Sequence, residues 1–137
     1  MGCAVTPPGD LDAEMALVGM ACVLGPDAPP AIWQCRPADF VDPRHRDLWA
    51  IAQRARWRKA APAMDALFAV ATPRYLGEIA IAYWPADVAA LVAAVRDAAV
   101  TRRLLDAATQ LAHAWADDDK ARWRAEIVAI SAAAGLP

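Results

Sequence analysis

Apolar residues recur along this chain every three or four positions, which is the spacing of amphipathic α-helices. The first such run is Leu11–Leu24. Asp10 stands before it as an N-cap, and Gly25-Pro26 ends it, so the pattern predicts a first helix between these signals. The apolar positions that predict its buried side are Leu11, Met15, Val18, Ala21 and Cys22.

Shorter segments follow up to residue 84. Residues 31–35 predict a short helix, residues 37–40 a single turn, and residues 62–70 a short helical segment around Leu67 and Phe68.

Two longer helices are marked by a cap residue followed by proline. Asp42-Pro43 begins one that should run to about Arg58, and Thr72-Pro73 begins another that should close at Trp84-Pro85. The expected inner positions of the first are Leu48, Ile51, Ala52 and Ala55, with Trp49 beside them. Those of the second are Tyr75, Leu76, Ile79 and Ile81.

After Pro85, about thirty residues contain neither proline nor glycine. Residues 85–115 are therefore predicted to form one helix about 45 Å long. Its apolar face changes along its length. The first half carries Val88, Leu91, Val92, Val95 and Ala99 on one side. The second half carries Val100, Leu104, Ala108, Leu111 and Trp115 on another side, about 150° away. This helix must therefore pack against two different bodies.

A last helix follows the polar turn at Asp117-Asp118-Asp119 and ends at Gly135. Its apolar positions are Trp123, Ile127, Ile130 and Ala134. The short turn predicts an antiparallel hairpin. The fold class is therefore all-α: a compact multi-helix head followed by a C-terminal antiparallel helical hairpin. We expect a flexible lead-in at residues 1–9, the head at 10–84, and the long helix and hairpin at 85–134 of the same domain.

Two helices alone cannot fully bury the apolar residues of this hairpin, so a further surface from a second subunit is expected to cover them. The sequence predicts a homodimer through this hairpin. The expected interface residues are Val100, Leu104, Leu111, Trp115, Trp123, Ile127 and Ile130.

Charge and composition narrow the function classes. The chain has 137 residues, 58% of them hydrophobic, and a formal net charge of −2. Strong direct DNA binding is disfavoured without a positive field. No apolar stretch approaches the length of a membrane span and no basic leader begins the chain, so a soluble, cytoplasmic protein is expected.

Six cations cluster on or beside the helix that begins at Pro43. They are Arg44, Arg46, Arg54, Arg56, Arg58 and Lys59. Because Asp39, Asp42 and Asp47 lie nearby, a solvated face or a surface for an acidic partner is favoured over DNA contact.

The sequence lacks the residue patterns of the common catalytic sites. There is no Gly-rich phosphate loop and no G-x-S-x-G, and the single serine, Ser131, lies in the last helix. His45 and His113 are far apart and outside any zinc-protease motif, and a zinc site from Cys22, Cys35 and His45 would match no known ligand spacing. We predict no catalytic residue, no cofactor and no metal. Cys3, Cys22 and Cys35 are expected to be reduced thiols, and His45 to have a structural role.

Five fragments, taken in order over nearly the whole chain, resemble the N-terminal domain of the bacterial DnaB-type replicative helicase. They are Leu11-Asp12-Ala13-Glu14 with Leu17-Val18-Gly19; Ala38-Asp39-Phe40 with Pro43-Arg44-His45-Arg46 and Leu48-Trp49; Pro62-Ala63-Met64-Asp65; Arg74-Tyr75-Leu76-Gly77-Glu78-Ile79; and the stretch 95–105. Between Asp65 and Tyr75 the chain is shorter than usual for that family, and the family's ATPase motor is missing from it.

The resemblance implies an all-α head with a helical hairpin, hairpins that pair domains into dimers, and dimers that build a collar. It also implies docking of primase or a helicase loader as partner. Three functions compete. The first is an oligomerisation and partner-docking domain of the helicase. The second is a stand-alone adaptor or regulator of helicase or primase. The third is a weak nucleic-acid-binding module that uses Arg54, Arg56, Arg58 and Lys59.

Overall fold

The computed structural model describes residues 10–82 and 87–135, which form α-helices, 3₁₀ turns and no strand within those ranges. The α-helices are α1 (Leu11–Leu24), α2 (Pro43–Trp57), α3 (Met64–Phe68), α4 (Pro73–Ala82), α5 (Val88–His113) and α6 (Asp117–Ala133). Three 3₁₀ turns, Gly25–Asp27, Pro30–Gln34 and Pro37–Asp39, connect α1 to α2. The predicted all-α class is confirmed.

Helix α1 is the central element of the head and packs against α2, α4 and α5. Of the nine consecutive residues from Ala13 to Ala21, eight are buried and only Met15 is partly exposed. The helix begins as predicted, because the Asp10 carboxylate accepts a hydrogen bond from the Ala13 backbone N–H over 3.0 Å. Burial in α1 extends beyond the predicted stripe to Ala16, Leu17 and Met20, because three helices pack around α1, whereas Leu11, placed on that stripe, is exposed at the start of the helix.

Trp49 of α2 is the largest side chain that is fully buried, so it lies in the core and not beside it as its position in the sequence pattern indicated. Its ring packs against Phe40 and Trp33, with ring centroids 4.8 and 5.1 Å away. Its indole N–H donates to the Cys35 carbonyl over 3.0 Å, which satisfies the one polar group that this burial removes from water. The segment between α1 and α2 therefore closes over the indole.

Helix α5 belongs to both parts of the structure. Near its start, Val92, Val95 and Ala99 are buried on the side that continues the head core. Beyond Ala99, the buried residue of α5 is Ala107, on a different side of the helix. Helices α5 and α6 pack as a C-terminal hairpin, which confirms the predicted architecture.

Several boundaries differ from the prediction in small ways. The helix expected at residues 31–35 is the 3₁₀ turn Pro30–Gln34. Helix α5 begins at Val88 behind an N-cap at Asp87, and the three aspartates expected in a turn form the first turn of α6. The lead-in predicted at residues 1–9 and the helix end predicted at Trp84-Pro85 lie outside the described residues. Within residues 10–82 and 87–135, no helix combines the length and apolarity needed to cross a membrane.

Candidate interaction site

A buried carboxylate fixes the segment that leads into α2. Glu14, on α1, is almost fully buried. One of its oxygens, Oε2, accepts a hydrogen bond from the Val41 backbone N–H over 2.8 Å, and Oε1 accepts one from the Asp42 backbone N–H over 3.3 Å. These bonds bring the start of α2 onto α1, since a buried carboxylate must find donors.

The same carboxylate holds the histidine of α2. His45 Nδ1 lies 2.8 Å from Glu14 Oε1, and because an ionised carboxylate can only accept, Nδ1–H donates. In the neutral ring Nε2 then accepts a hydrogen bond from the Tyr75 hydroxyl on α4, over 2.5 Å. The guanidinium of Arg44 lies over the Tyr75 ring, 3.8 Å from its centroid. This network connects three helices of the head, so the structure supports a structural role for His45.

Two protonation equilibria near this network are shifted. Burial alone would raise the pKa of Asp42, but hydrogen bonds from the side chain and backbone of Arg44 outweigh it and hold that pKa below its ordinary value. Burial raises the pKa of Tyr75. Both shifts keep the groups in the protonation state in which they make their contacts at neutral pH.

Asp39 links the head to the point where α5 leaves it. Its carboxylate accepts a hydrogen bond from the Arg36 backbone N–H, while its carbonyl accepts one from the Arg102 guanidinium over 2.6 Å. Arg103 of α5 lies 3.9 Å from the same carboxylate. Burial lowers the pKa of Arg102, but its guanidinium group stays charged at neutral pH. The two arginines therefore hold the middle of α5 against the loop before α2.

The hairpin residues predicted as an interface differ in how far the structure buries them. Ile130 is buried and Trp115, in the turn between α5 and α6, is 94% exposed. The other five are half-buried, so the two helices shield them only in part: they are Val100, Leu104, Leu111, Trp123 and Ile127.

A second apolar face of the hairpin was missed in the sequence. Leu105 of α5 and Val128 of α6 are 50% and 68% exposed, and each is accompanied along its helix by exposed alanines at helical spacing. The alanines are Ala112 on α5 and Ala121, Ala125 and Ala132 on α6, together with Ala108, which was predicted on the stripe of Leu104 and Leu111 but is exposed. In the sequence this face is visible as apolar residues spaced three and four positions apart. Alanine is so common in this chain, however, that the spacing does not distinguish this face beside the stronger stripe of Leu and Trp.

The head carries an apolar groove of about 510 Å³ between the end of α1 and helices α3 and α4. Three large apolar side chains on its walls, Val23, Met64 and Phe68, are each about half exposed. Its floor is formed by Leu67, Leu76 and Ile79, which are buried. A groove of this kind can accept the apolar face of a partner helix.

The residues considered for chemistry do not form a reactive site. Burial raises the pKa of the Cys22 and Cys35 thiols to about 12, which keeps both protonated and unreactive at neutral pH. Within the described ranges no three residues of the metal-binding types come together, and Cys22, Cys35 and His45 are not brought to one place as ligands.

Comparison with known proteins identifies the fold. The crystal structure of the N-terminal domain of DnaB helicase from Mycobacterium tuberculosis matches with a TM-score of 0.75 over 90% of this chain and 99% of that chain, at 23% sequence identity. No family model matches the sequence, and no curated protein matches it. The chain thus has the fold of a DnaB helicase N-terminal domain, as the five sequence fragments predicted.

Proposed function

We propose that this chain is a non-catalytic oligomerisation and partner-docking domain of a DnaB-type replicative helicase and that it serves DNA replication. The fold supports this function class. The observation that carries the proposal is the apolar surface left open on the hairpin, where Leu105, Trp115 and Val128 are half to almost fully exposed. In this proposal residues 10–84 are the head and residues 85–134 are the arm of one domain.

The physical case for self-association begins with side-chain size. Leu105 and Val128 stand among alanines, and small residues allow two helices to approach closely enough to bury the larger ones between them. Complete burial of a leucine or valine side chain contributes about 1.5–3 kcal/mol. In a two-fold pair the same face of both copies is buried, so the burial free energy of each side chain is gained twice. The half-buried residues Leu104, Leu111 and Ile127 would lose their remaining exposure in such a pair, and pairs could then assemble into a collar.

Partner docking is assigned to the apolar groove of the head. An amphipathic helix of primase or of a helicase loader would place its apolar side chains against Met64, Phe68 and Val23, replacing water on surfaces that are now half exposed. The groove lies on the head and the apolar hairpin face lies on α5 and α6, so one chain could dimerise and bind its partner at the same time.

Light scattering at micromolar concentration tests the assembly. The wild type is expected to be a dimer. Leu105→Asp and Val128→Asp should give monomers with unchanged helical circular dichroism, because both side chains are exposed in the single chain. Leu111→Asp and Ile127→Asp should also give monomers, but with a lower melting temperature, because these side chains are half-buried within the hairpin. Phe68→Asp, on the head, serves as the matched control and should remain a dimer.

A wild type that stays monomeric at high concentration would contradict the assembly proposal, as would dimers of both Leu105→Asp and Val128→Asp. Docking is tested separately by calorimetry with the primase and the loader of the same organism. Phe68→Asp should weaken the binding of one of them by tenfold or more, on the order of 1.4 kcal/mol. Equal binding by wild type and Phe68→Asp would show that the groove is not the docking site.

A further inference from the structure

The end of α2 carries a nearly free indole among four cations. Trp57 is 84% exposed and lies within the run Arg54, Arg56, Arg58 and Lys59. At about 100° per residue, Trp57 stands about 60° to one side of Arg54 on the last turn of α2. Arg58 is the C-cap residue that directly follows this turn. An exposed indole beside cations offers one ligand both an apolar ring and positive charge, and burying that ring against a partner would be favourable.

The six cations predicted on α2 divide into two groups in the structure. Arg44 and Arg46, at its start, are used by the fold: Arg44 pairs with Asp42, and Arg46 donates to the Phe40 and Val41 carbonyls. The four at its end form no ion pair with any carboxylate of residues 10–82 or 87–135. Arg54 bonds only the Ala50 carbonyl of its own helix, and Arg56 lies over the Trp33 ring. Positive charge is therefore uncompensated at this end of the helix.

An open groove lies beside these cations. It has a volume of about 310 Å³, and Arg54 and Arg58 line it together with Ile51 and the chain from Ala60 to Ala63. That volume is at the lower end of the range of ligand pockets. Arg54 and Arg58 thus lie at a groove whose other lining residues are apolar, and Trp57, which does not line the groove, precedes Arg58 in the sequence.

We propose that the cationic end of α2, defined as Arg54, Arg56, Trp57, Arg58 and Lys59, binds single-stranded nucleic acid. The ligand must offer flat rings for the indole and negative charges for the cations at alternating positions, and a single strand has this repeat. A duplex keeps its bases stacked inside and offers phosphates alone. An acidic peptide would satisfy the cations but has no regular partner for Trp57. Because the chain carries a net charge of −2, the binding is expected to be weak and local.

Fluorescence anisotropy of a labelled oligothymidylate of about twelve nucleotides tests the proposal with the whole chain at low salt. We expect a dissociation constant in the micromolar range and a slope of log K against log salt of about −2 to −3, for three or four phosphates contacted. Trp57→Leu should weaken binding on the order of tenfold, whereas Trp57→Phe, which keeps a flat ring, should retain most of it. Arg58→Gln should reduce the salt slope by about 0.7.

Three comparisons make the result decisive. Arg74→Gln removes one exposed cation elsewhere on the head and should leave the affinity unchanged. An abasic strand of the same length should bind the wild type as weakly as oligothymidylate binds Trp57→Leu. Light scattering on each variant should give the wild-type mass. The proposal is overturned by absence of binding at low salt, by equal affinity of Trp57→Leu and Trp57→Phe, by equal affinity for polyglutamate, or by a change of mass in Trp57→Leu, which would indicate a protein contact.

Discussion

His45 on α2 donates its Nδ1–H to the Glu14 carboxylate on α1, over 2.8 Å, with both side chains about 1% exposed. This contact is the centre of the head, because Glu14 also receives the backbone N–H groups of Val41 and Asp42 and His45 also meets Tyr75. The residues of the sequence fragments that resembled the DnaB domain thus include the partners of one buried network.

His45→Ala is expected to lower the free energy of unfolding by about 3 kcal/mol or more, because it leaves the buried Glu14 carboxylate without its side-chain donor. Urea denaturation measures the change. His113→Ala is the matched control: His113 is exposed on α5 and should change the stability by less than about 0.5 kcal/mol. A His45→Ala variant as stable as His113→Ala would mean that the network does not hold the head together.

Two glycines should respond to alanine in opposite directions. Gly25 has φ +54°, and a Cβ there would meet the Ala61 backbone at 3.1 Å, so Gly25→Ala should destabilise the protein by about 1–3 kcal/mol. Gly77 lies in α4 with nothing within 4 Å of an added Cβ, so Gly77→Ala should stabilise it by about 0.5–1 kcal/mol. Thermal melts of both variants check this. The same sign for both would contradict it.

Lys59 ends α2 in the left-handed conformation, with φ +54°, where glycine is normally preferred. The Ala60 N–H bonds the Ala55 carbonyl and the Lys59 N–H bonds the Arg56 carbonyl, which is the Schellman arrangement of a helix end. Lys59→Gly should therefore raise the free energy of unfolding by about 1 kcal/mol. Lys59→Ala removes the same charge but keeps the strain, and should show no such gain in urea denaturation. Equal stabilisation by both would assign the effect to charge.

The raised pKa values of the half-buried Cys22 thiol and the buried Cys35 thiol predict an alkaline loss of stability. The folded pKa values of Cys22 and Cys35 are about 12, whereas an unfolded thiol titrates near 8.5. Below about pH 8.5 both states keep their protons and stability does not depend on these groups. Between about pH 8.5 and 12 only the unfolded state releases them, so stability falls by up to about 1.4 kcal/mol per pH unit for each thiol. In a Cys3→Ser background, urea denaturation at rising pH should show this fall.

The control for that experiment is the same background with Cys22→Ala and Cys35→Ala added. It should lose part of the alkaline slope and keep the stability plateau at neutral pH. An unchanged slope would mean that other groups, Tyr75 among them, account for the effect. A thiol reagent at pH 8 should also leave both native cysteines unmodified until the chain is unfolded.

The sequence predicted the helices well where their signals are local. Asp10 and the Asp42-Pro43 pair mark helix starts through bonds within three residues, so α1 and α2 were located to within a residue or two. The side that each helix buries was harder to predict. Leu11 is exposed and Trp49 is central because burial depends on which other helices surround an element, and a single helix does not encode that.

The candidate sites were predicted less completely for the same reason. The spacing of Leu104, Leu111, Trp123 and Ile127 indicated an apolar hairpin stripe, but not that the two helices would shield half of it themselves and leave Leu105 and Val128 open. Likewise, the run of cations at the end of α2 was visible, but the exposure of Trp57 was not. Whether a tryptophan is covered is decided by residues distant in sequence, as the covering of Trp49 by the segment around Cys35 illustrates.

Because α5 is one continuous helix, it joins the head directly to the hairpin as a stiff rod. The helix is held to the head near Ala99 and by Arg102 and Arg103 on Asp39, and beyond Arg103 it continues without a break for about 15 Å to its end. A tilt of about 10° at that anchorage would move the end of α5 by about 3 Å, because a helix transmits bending as a stiff rod does. In the proposed assembly, a partner that strains the loop around Asp39 would thus change the angle between neighbouring hairpins, and a force on the hairpins would act on Asp39 in turn.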